Sequence, residues 1–126
     1  MAIELNHTIV AAADPAVEAA FFTEVFDLAP ARTFGIFLVV EFAHGLSFDF
    51  LAGTDFDHQH YAFLVTEDEF TEIFGRIVER ELEHWADPHR QQAGEINHHD
   101  GGRGVYFPSP SGHLLEIITR PYGSGS

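Results

Sequence analysis

The chain has 126 residues, 45% of them hydrophobic and 13 of them phenylalanine, which is enough for one compact domain and argues against disorder. Its net charge of −14 disfavours nucleic acid as a partner, because phosphate binding requires a positive field, and its lack of cysteine excludes disulfides and thiolate metal sites. No apolar run reaches the about 20 residues that span a bilayer, and the N-terminus lacks a signal-peptide pattern, so we expect a cytoplasmic protein without a membrane partner.

The first half of the sequence predicts a strand, a helix and three further strands. Residues 4–12 alternate between two faces in the pattern of a strand, and His7 lies on one of these faces. Asp14 and Pro15 are typical of a helix start, since aspartate caps the first turn and proline fits within it. The apolar stripe of this helix comprises Val17, Phe21, Val25 and Leu28, with Phe22 and Phe26 beside it. The three strands are expected at 31–35, 36–43 and 46–51.

The second half repeats this order. A strand runs from His60 to Val65, and Thr66 with Glu69 has the spacing of a capping box. An amphipathic helix then continues to about Glu83. The remaining elements are expected to be a weak strand near 84–87, an irregular loop at 88–103, strands at 104–108 and 113–119, and a disordered tail at 123–126.

An internal repeat relates the two halves. Each strand histidine stands fourteen residues before a helix phenylalanine, and a turn glycine late in each half stands four residues before an acid. The pairs are His7 with Phe21, His60 with Phe74, Gly45 with Asp49, and Gly112 with Glu116. We therefore expect one α+β domain over residues 1–122 that consists of two βαβββ modules, at about 3–53 and 57–120, on curved mixed sheets.

Two histidines and one glutamate in these strands form a candidate metal site. Imidazole nitrogen and carboxylate oxygen together suit a divalent ion such as Fe, Mn, Ni, Co or Zn, and His7, His60 and Glu116 would leave positions open for a substrate. A strand histidine taken alone is more often a packed residue than a ligand. Glu116 favours the metal, because burying a carboxylate between leucine and isoleucine costs several kcal/mol unless it is paired, protonated or metal-bound.

Three further residues are candidates for catalysis. Asp49 is interpreted as a fourth ligand, as a general base beside the metal, or as a solvent-facing acid. Arg103 and Tyr106 are candidates for orienting an anionic or oxygen-rich substrate, with a surface cation and an ordinary strand aromatic as the alternatives. The loop histidines His98 and His99 lie in a flexible, polar stretch that has the composition of a segment closing over a site.

Several motifs together resemble the vicinal oxygen chelate superfamily, which includes glyoxalase I, fosfomycin-resistance proteins, extradiol dioxygenases and bleomycin-resistance proteins. These motifs are His7 in an N-terminal strand, HYAF at 60–63, GVYF at 104–107 and PSGHLLE at 110–116. The resemblance covers roughly residues 3–120. It implies paired βαβββ modules that curl into a cup, a homodimer, and a site at the subunit interface.

The resemblance also implies roles for individual residues. His7, His60 and Glu116 match the metal-ligand positions, and in many short members the ligands come from two subunits. Asp49 matches the region in which glyoxalase I supplies a glutamate, so the shorter aspartate puts direct ligation in question. Tyr106 is similar to a substrate-contacting tyrosine of the fosfomycin enzymes, but the long 88–103 loop argues against that particular activity.

Three functional hypotheses follow. The first is a metal-dependent enzyme of glyoxalase or dioxygenase type that holds a small oxygen-rich substrate through two adjacent oxygens. The second is a protein of bleomycin-resistance type that sequesters an aromatic or cationic small molecule without chemistry, which the acidic charge and many phenylalanines favour. The third is a structural module in which the histidines are ordinary strand residues.

Overall fold

The computed structural model describes residues 2–125 and divides the chain into two compact units, one ending at Asp57 and the other beginning at His58. Each unit combines a small mixed sheet with one α-helix, which confirms the α+β class. Within residues 2–125, neither helix is both long and apolar enough to cross a membrane.

The first unit has four strands and one helix. They are β1 (His7–Ala12), α1 (Pro15–Val25), β2 (Arg32–Phe34), β3 (Phe37–Glu41) and β4 (Ser47–Ala52). The strand order is β1-β4-β3-β2, with β1 parallel to β4 and the other pairs antiparallel. A short 3-10 helix at Ala43–Gly45 forms the turn predicted before β4.

The phenylalanines form the core of the first unit. Asp14 starts α1 by accepting the N–H groups of Ala16 and Val17 at 3.0 and 3.4 Å. Phe22 is 1% exposed, and its ring packs against those of Phe48 and Phe50 at centroid distances of 5.7 and 5.4 Å. Val17, predicted within the buried stripe, is exposed, because packing of Phe22 on β4 turns the neighbouring helix face outward.

The second unit has three strands and one helix. They are β5 (His60–Leu64), α2 (Glu67–Glu79), β6 (Gly104–Pro108) and β7 (Leu114–Ile118). The strand order is β5-β7-β6, with β5 parallel to β7 and β6 antiparallel to it. The predicted capping box at the start of α2 is present: Glu69 N–H donates to Thr66 Oγ1 at 3.1 Å, and Thr66 N–H donates to Glu69 Oε1 at 2.8 Å.

One predicted strand of the second unit is reduced to isolated bridges. In the 84–87 segment, Trp85 forms an antiparallel bridge with Tyr106 of β6 and another with Ala93. The Asp87 carboxylate accepts the N–H groups of Gln91 and Gln92 at 3.0 and 2.7 Å, which curls the chain into a turn. The extended conformation therefore ends before a full strand forms.

The end of the chain is hydrogen bonded to the preceding loop. The sequence predicts a disordered tail from residue 123, but the N–H groups of Gly123 and Gly125 donate to the Asp100 carboxylate, each at 3.1 Å. Ser126 lies outside the described residues, and the prediction stays untested there.

Candidate metal centre

The parallel strands β5 and β7 bring His60 and Glu116 together. Ala62 is paired with Glu116. His60 is two residues before Ala62, so its side chain lies on the same face of the sheet as that of Glu116. The His60 Nε2 atom is 3.1 Å from Glu116 Oε1. Glu116 is only 4% exposed, whereas His60 is exposed. The predicted buried carboxylate therefore has the predicted histidine as its neighbour.

The hydrogen bond on the other ring nitrogen determines what this pair can hold. His60 Nδ1 lies 2.9 Å from the carbonyl oxygen of Leu114, which only accepts, so Nδ1 carries the proton. In the neutral ring Nε2 then has a lone pair directed at a carboxylate oxygen, an arrangement that requires a proton or a cation between them. A backbone carbonyl on Nδ1 is the usual outer partner of a metal-bound histidine.

The separation of the two atoms also fits a shared metal. Metal–nitrogen and metal–oxygen bonds of about 2.0–2.2 Å place two ligands at right angles about 3.0 Å apart. The observed Nε2–Oε1 distance is 3.1 Å. Imidazole nitrogen with carboxylate oxygen suits Fe, Mn, Co, Ni or Zn, so His60 and Glu116 fit a divalent ion of this group.

Tyr106 of β6 completes this side of the site. It is paired with Glu116 across β6 and β7, and its ring stacks on His60 at a centroid distance of 5.9 Å. Burial raises the pKa of Tyr106, and the charge of Glu116 and a hydrogen bond to it raise the pKa further. The hydroxyl is therefore protonated at neutral pH and donates to the Glu116 carboxylate.

The first unit repeats the register of the second. Ile9 of β1 is paired with Asp49 of β4, so His7 relates to Asp49 as His60 relates to Glu116. His7 Nδ1 is 2.6 Å from Asn6 Oδ1, so its Nδ1 also faces an oxygen. The shorter Asp49 instead accepts a hydrogen bond from Ser47 Oγ at 2.8 Å.

A cleft adjoins His7 in this unit. It has a volume of about 270 Å³ and is lined by Asn6, His7, Arg32, Phe34, Val39, Ser47 and Asp49. Its rim combines an imidazole, a carboxylate and a guanidinium with an exposed aromatic ring. Sequence reasoning missed Arg32, although its position opposite Val39, which is itself paired with Asp49, follows from the strand register.

Of the three predicted ligands, His7 lies in the first unit, whereas His60 and Glu116 lie in the second. Among residues 2–125, no three His, Asp or Glu side chains converge in an arrangement suited to a metal. The structure thus provides the His60–Glu116 pair, and His7 as a third ligand stays a prediction.

Arg103 is engaged by α2. Its Nε donates to Glu67 Oε1 and its Nη2 donates to Thr71 Oγ1, both at 2.8 Å, and its guanidinium lies 4.4 Å from the centre of the Phe70 ring. Hydrogen bonds from Thr119 and then from Arg103 hold the pKa of Glu67 below its usual range. These contacts support a role in holding α2 beside β6, and a catalytic role of Arg103 stays a prediction.

Two further histidines, His113 and His98, contact backbone groups. His113 is buried and its Nδ1 accepts the N–H of Gln59 at 3.0 Å. His98 Nδ1 contacts the Gly102 carbonyl at 3.2 Å, within its own loop. Sequence patterns do not single out Tyr122, because nothing in the glycine-serine tail signals its interaction with Tyr106, which raises the pKa of Tyr106.

Comparison with known proteins adds close and distant relatives. No family model matches the chain, and no curated protein matches it. The solved structure of oxidase ChaP-H1 is 55% identical, with a TM-score of 0.93 over 97% of this chain and 99% of that one. Oxidase ChaP-H2 is 53% identical, with a TM-score of 0.96 over the whole of both chains.

A distant structure shares the fold. It is a mutant of the fosfomycin resistance protein FosX from Listeria monocytogenes, complexed with Mn(II) and 1S,2S-dihydroxypropylphosphonic acid. It is 20% identical, with a TM-score of 0.70 over 97% of this chain and 96% of that one.

The chain belongs to the vicinal oxygen chelate superfamily, as its motifs indicate. The two relatives above 50% identity are named oxidases, which agrees with the coarse prediction of an enzyme type within this superfamily.

Proposed function

We propose that the protein is a metal-dependent oxidase or dioxygenase that binds a small substrate through two adjacent oxygens. The observation that carries this proposal is the His60 Nε2–Glu116 Oε1 pair, which has the spacing and donor types of two ligands to one divalent ion. The names of the two relatives above 50% identity favour oxidative chemistry over isomerisation.

His7 is proposed as the third ligand, contributed by a second copy of the chain. It is exposed on β1, beside the exposed apolar side chains of Leu5 and Ile9. An exposed apolar surface around a histidine suits a homodimer interface. Such an interface would cover Leu5 and Ile9 and would bring His7 to the ligand set of the other subunit.

The side chains around the pair have separate tasks in this proposal. When bound, the divalent ion would polarise the two substrate oxygens. Glu116 is kept in place by the Tyr106 hydroxyl, and His60 by the Leu114 carbonyl. In the cleft beside His7, Asp49 would accept a substrate proton, and Arg32 would attract an anionic oxygen.

Sequestration of a ligand without chemistry is the second candidate function. The cleft of about 270 Å³ beside Phe34 and Val39 is the observation that favours it, because an aromatic rim suits a planar ligand. Buried Glu116 favours the enzyme, since a sequestering protein does not need a carboxylate held against an imidazole nitrogen.

Dioxygen uptake distinguishes the two functions. We expect Fe(II)-loaded protein to consume dioxygen in the presence of a vicinal diol, tested with 4-nitrocatechol and 2,3-dihydroxynaphthalene in an oxygen electrode. The His60→Ala variant should lose this uptake, whereas His89→Ala, which removes an exposed histidine, should keep it. Recovery of both diols unchanged, with no dioxygen consumed, would contradict the oxidase proposal.

Mixing two inactive variants tests whether the site is shared between subunits. His7→Ala and Glu116→Gln chains should each bind Mn(II) poorly as homodimers. If His7 of the partner subunit completes the site, refolding an equal mixture should restore about a quarter of the sites, because half of the dimers are mixed and each has one intact set. Calorimetry with Mn(II) measures this fraction, and no restoration would contradict the shared site.

A further inference from the structure

The last residues of the chain form a clamped segment, here called the C-terminal strap (residues 121–125). Its own turn is closed by the Ser124 N–H, which donates to the Pro121 carbonyl at 3.1 Å. The Asp100 carboxylate holds it at two points, with Oδ2 accepting the Gly123 N–H and Oδ1 accepting the Gly125 N–H, each at 3.1 Å.

The residue types at the clamp are the ones that its backbone geometry requires. A Cβ at position 125 would lie 2.4 Å from the Asp100 Cα and carbonyl oxygen, which are backbone atoms that cannot yield. Asp100 itself has a φ of 58°, a conformation that aspartate and asparagine tolerate better than other non-glycine residues. The backbone of Gly125 therefore packs directly against that of Asp100, and this contact holds the strap in addition to the two hydrogen bonds.

The clamp brings Tyr122 to the carboxylate side of the candidate metal centre. Tyr122 and Glu116 line the same pocket, whose remaining volume of about 10 Å³ is no more than one water requires. Tyr122 and Glu116 both interact with Tyr106, and each of them raises the pKa of its hydroxyl.

The strap has the features of a segment that opens. Tyr122 is 81% exposed, so displacing it uncovers little apolar surface. With the strap in place, the pocket beside Glu116 has no room for an organic ligand. A ligand that extends from the metal toward this side must therefore displace Tyr122.

We propose that the C-terminal strap is a lid on the Glu116 side of the site, and that Tyr122 determines how large a metal-chelating ligand the site accepts. This inference rests on the proposed function, because it takes His60 and Glu116 as the metal pair. The strap excludes extended ligands when clamped by Asp100 and admits them when released.

Ligand size is the variable in the test. The full chain, loaded with Mn(II), is titrated with the one-ring diol 4-nitrocatechol and the two-ring diol 2,3-dihydroxynaphthalene. Tyr122→Ala should raise the affinity for the two-ring diol relative to the one-ring diol about tenfold, as expected when a steric barrier worth about 1.4 kcal/mol is removed. Tyr122→Phe keeps the ring and should retain the wild-type ratio.

Two variants release the strap without altering its tyrosine. Asp100→Asn keeps the tolerance for a positive φ but loses one of two acceptors, and Gly125→Ala introduces the backbone clash. Both should shift the ratio in the same direction as Tyr122→Ala. Ser124→Ala leaves the backbone bond to Pro121 intact and serves as the control.

Hydrogen exchange supplies a readout without metal or ligand. The amides of Gly123 and Gly125 should be protected in the metal-free wild-type chain and exposed in Asp100→Asn. Unprotected wild-type amides, or Mn(II) binding with an unchanged affinity ratio in Tyr122→Ala, would overturn this inference alone. Failure of the wild-type chain to bind Mn(II) would overturn the proposed function and, with it, the lid.

Discussion

Replacing Glu116 with glutamine is expected to lower Mn(II) affinity strongly. The loss should exceed the decrease of about 10- to 100-fold that follows when only a hydrogen-bond partner of a metal ligand is removed. The substitution preserves the shape of the side chain and leaves an oxygen for Tyr106 to contact. It removes the negative charge, and an amide oxygen is a weaker ligand than a carboxylate beside His60. Calorimetric titration of the dialysed protein with Mn(II) measures the effect.

A matched variant separates ligation from general electrostatics. Asp68 is an exposed carboxylate on α2, in the same unit as Glu116. Asp68→Asn removes the same charge from a chain with net charge −14, and it should leave Mn(II) affinity within about twofold, since exposed charges are strongly screened. Equal losses in both variants would show that Glu116 acts only through the overall charge.

Replacing Phe22 with alanine is expected to have the largest effect on stability, a loss of about 3–5 kcal/mol in the free energy of unfolding. The ring is 1% exposed and contacts five other phenylalanine rings of the first unit. Its removal leaves a cavity that α1 and β4, as packed elements, fill only partly. Urea denaturation followed by circular dichroism measures the loss.

Phe34→Ala is the control for this substitution. Phe34 lies on β2 and is 65% exposed, so its truncation should cost less than about 1 kcal/mol. It should instead weaken ligand binding in the cleft that Phe34 lines. A Phe22→Ala variant as stable as Phe34→Ala would contradict the location of the core.

The contact between His60 and Glu116 is predictable from the sequence because it depends on local rules. Alternation fixes the face of each strand residue, and the internal repeat indicates which strands are equivalent. Once β5 is parallel to β7 with Ala62 opposite Glu116, the contact with His60 follows. The tautomer of His60 was not predictable, because it depends on the carbonyl of Leu114, which the sequence pattern does not locate.

Two of the wrong predictions have a common physical origin in side-chain to backbone contacts. The turn around Asp87 ends the predicted strand at 84–87 through hydrogen bonds to two glutamine N–H groups. The carboxylate of Asp100 fastens a glycine-serine tail whose composition is typical of disorder. In each case the carboxylate of an aspartate accepts backbone N–H groups, and hydrophobic periodicity contains no information about such hydrogen bonds.

Counting histidine nitrogens on bound Mn(II) by pulsed electron paramagnetic resonance tests the proposed metal centre most directly. We predict one Mn(II) per chain with two histidine nitrogens, one lost in His60→Ala and the other in His7→Ala. Mn(II) bound without any histidine nitrogen, or no stoichiometric binding, would contradict a centre built from His7, His60 and Glu116.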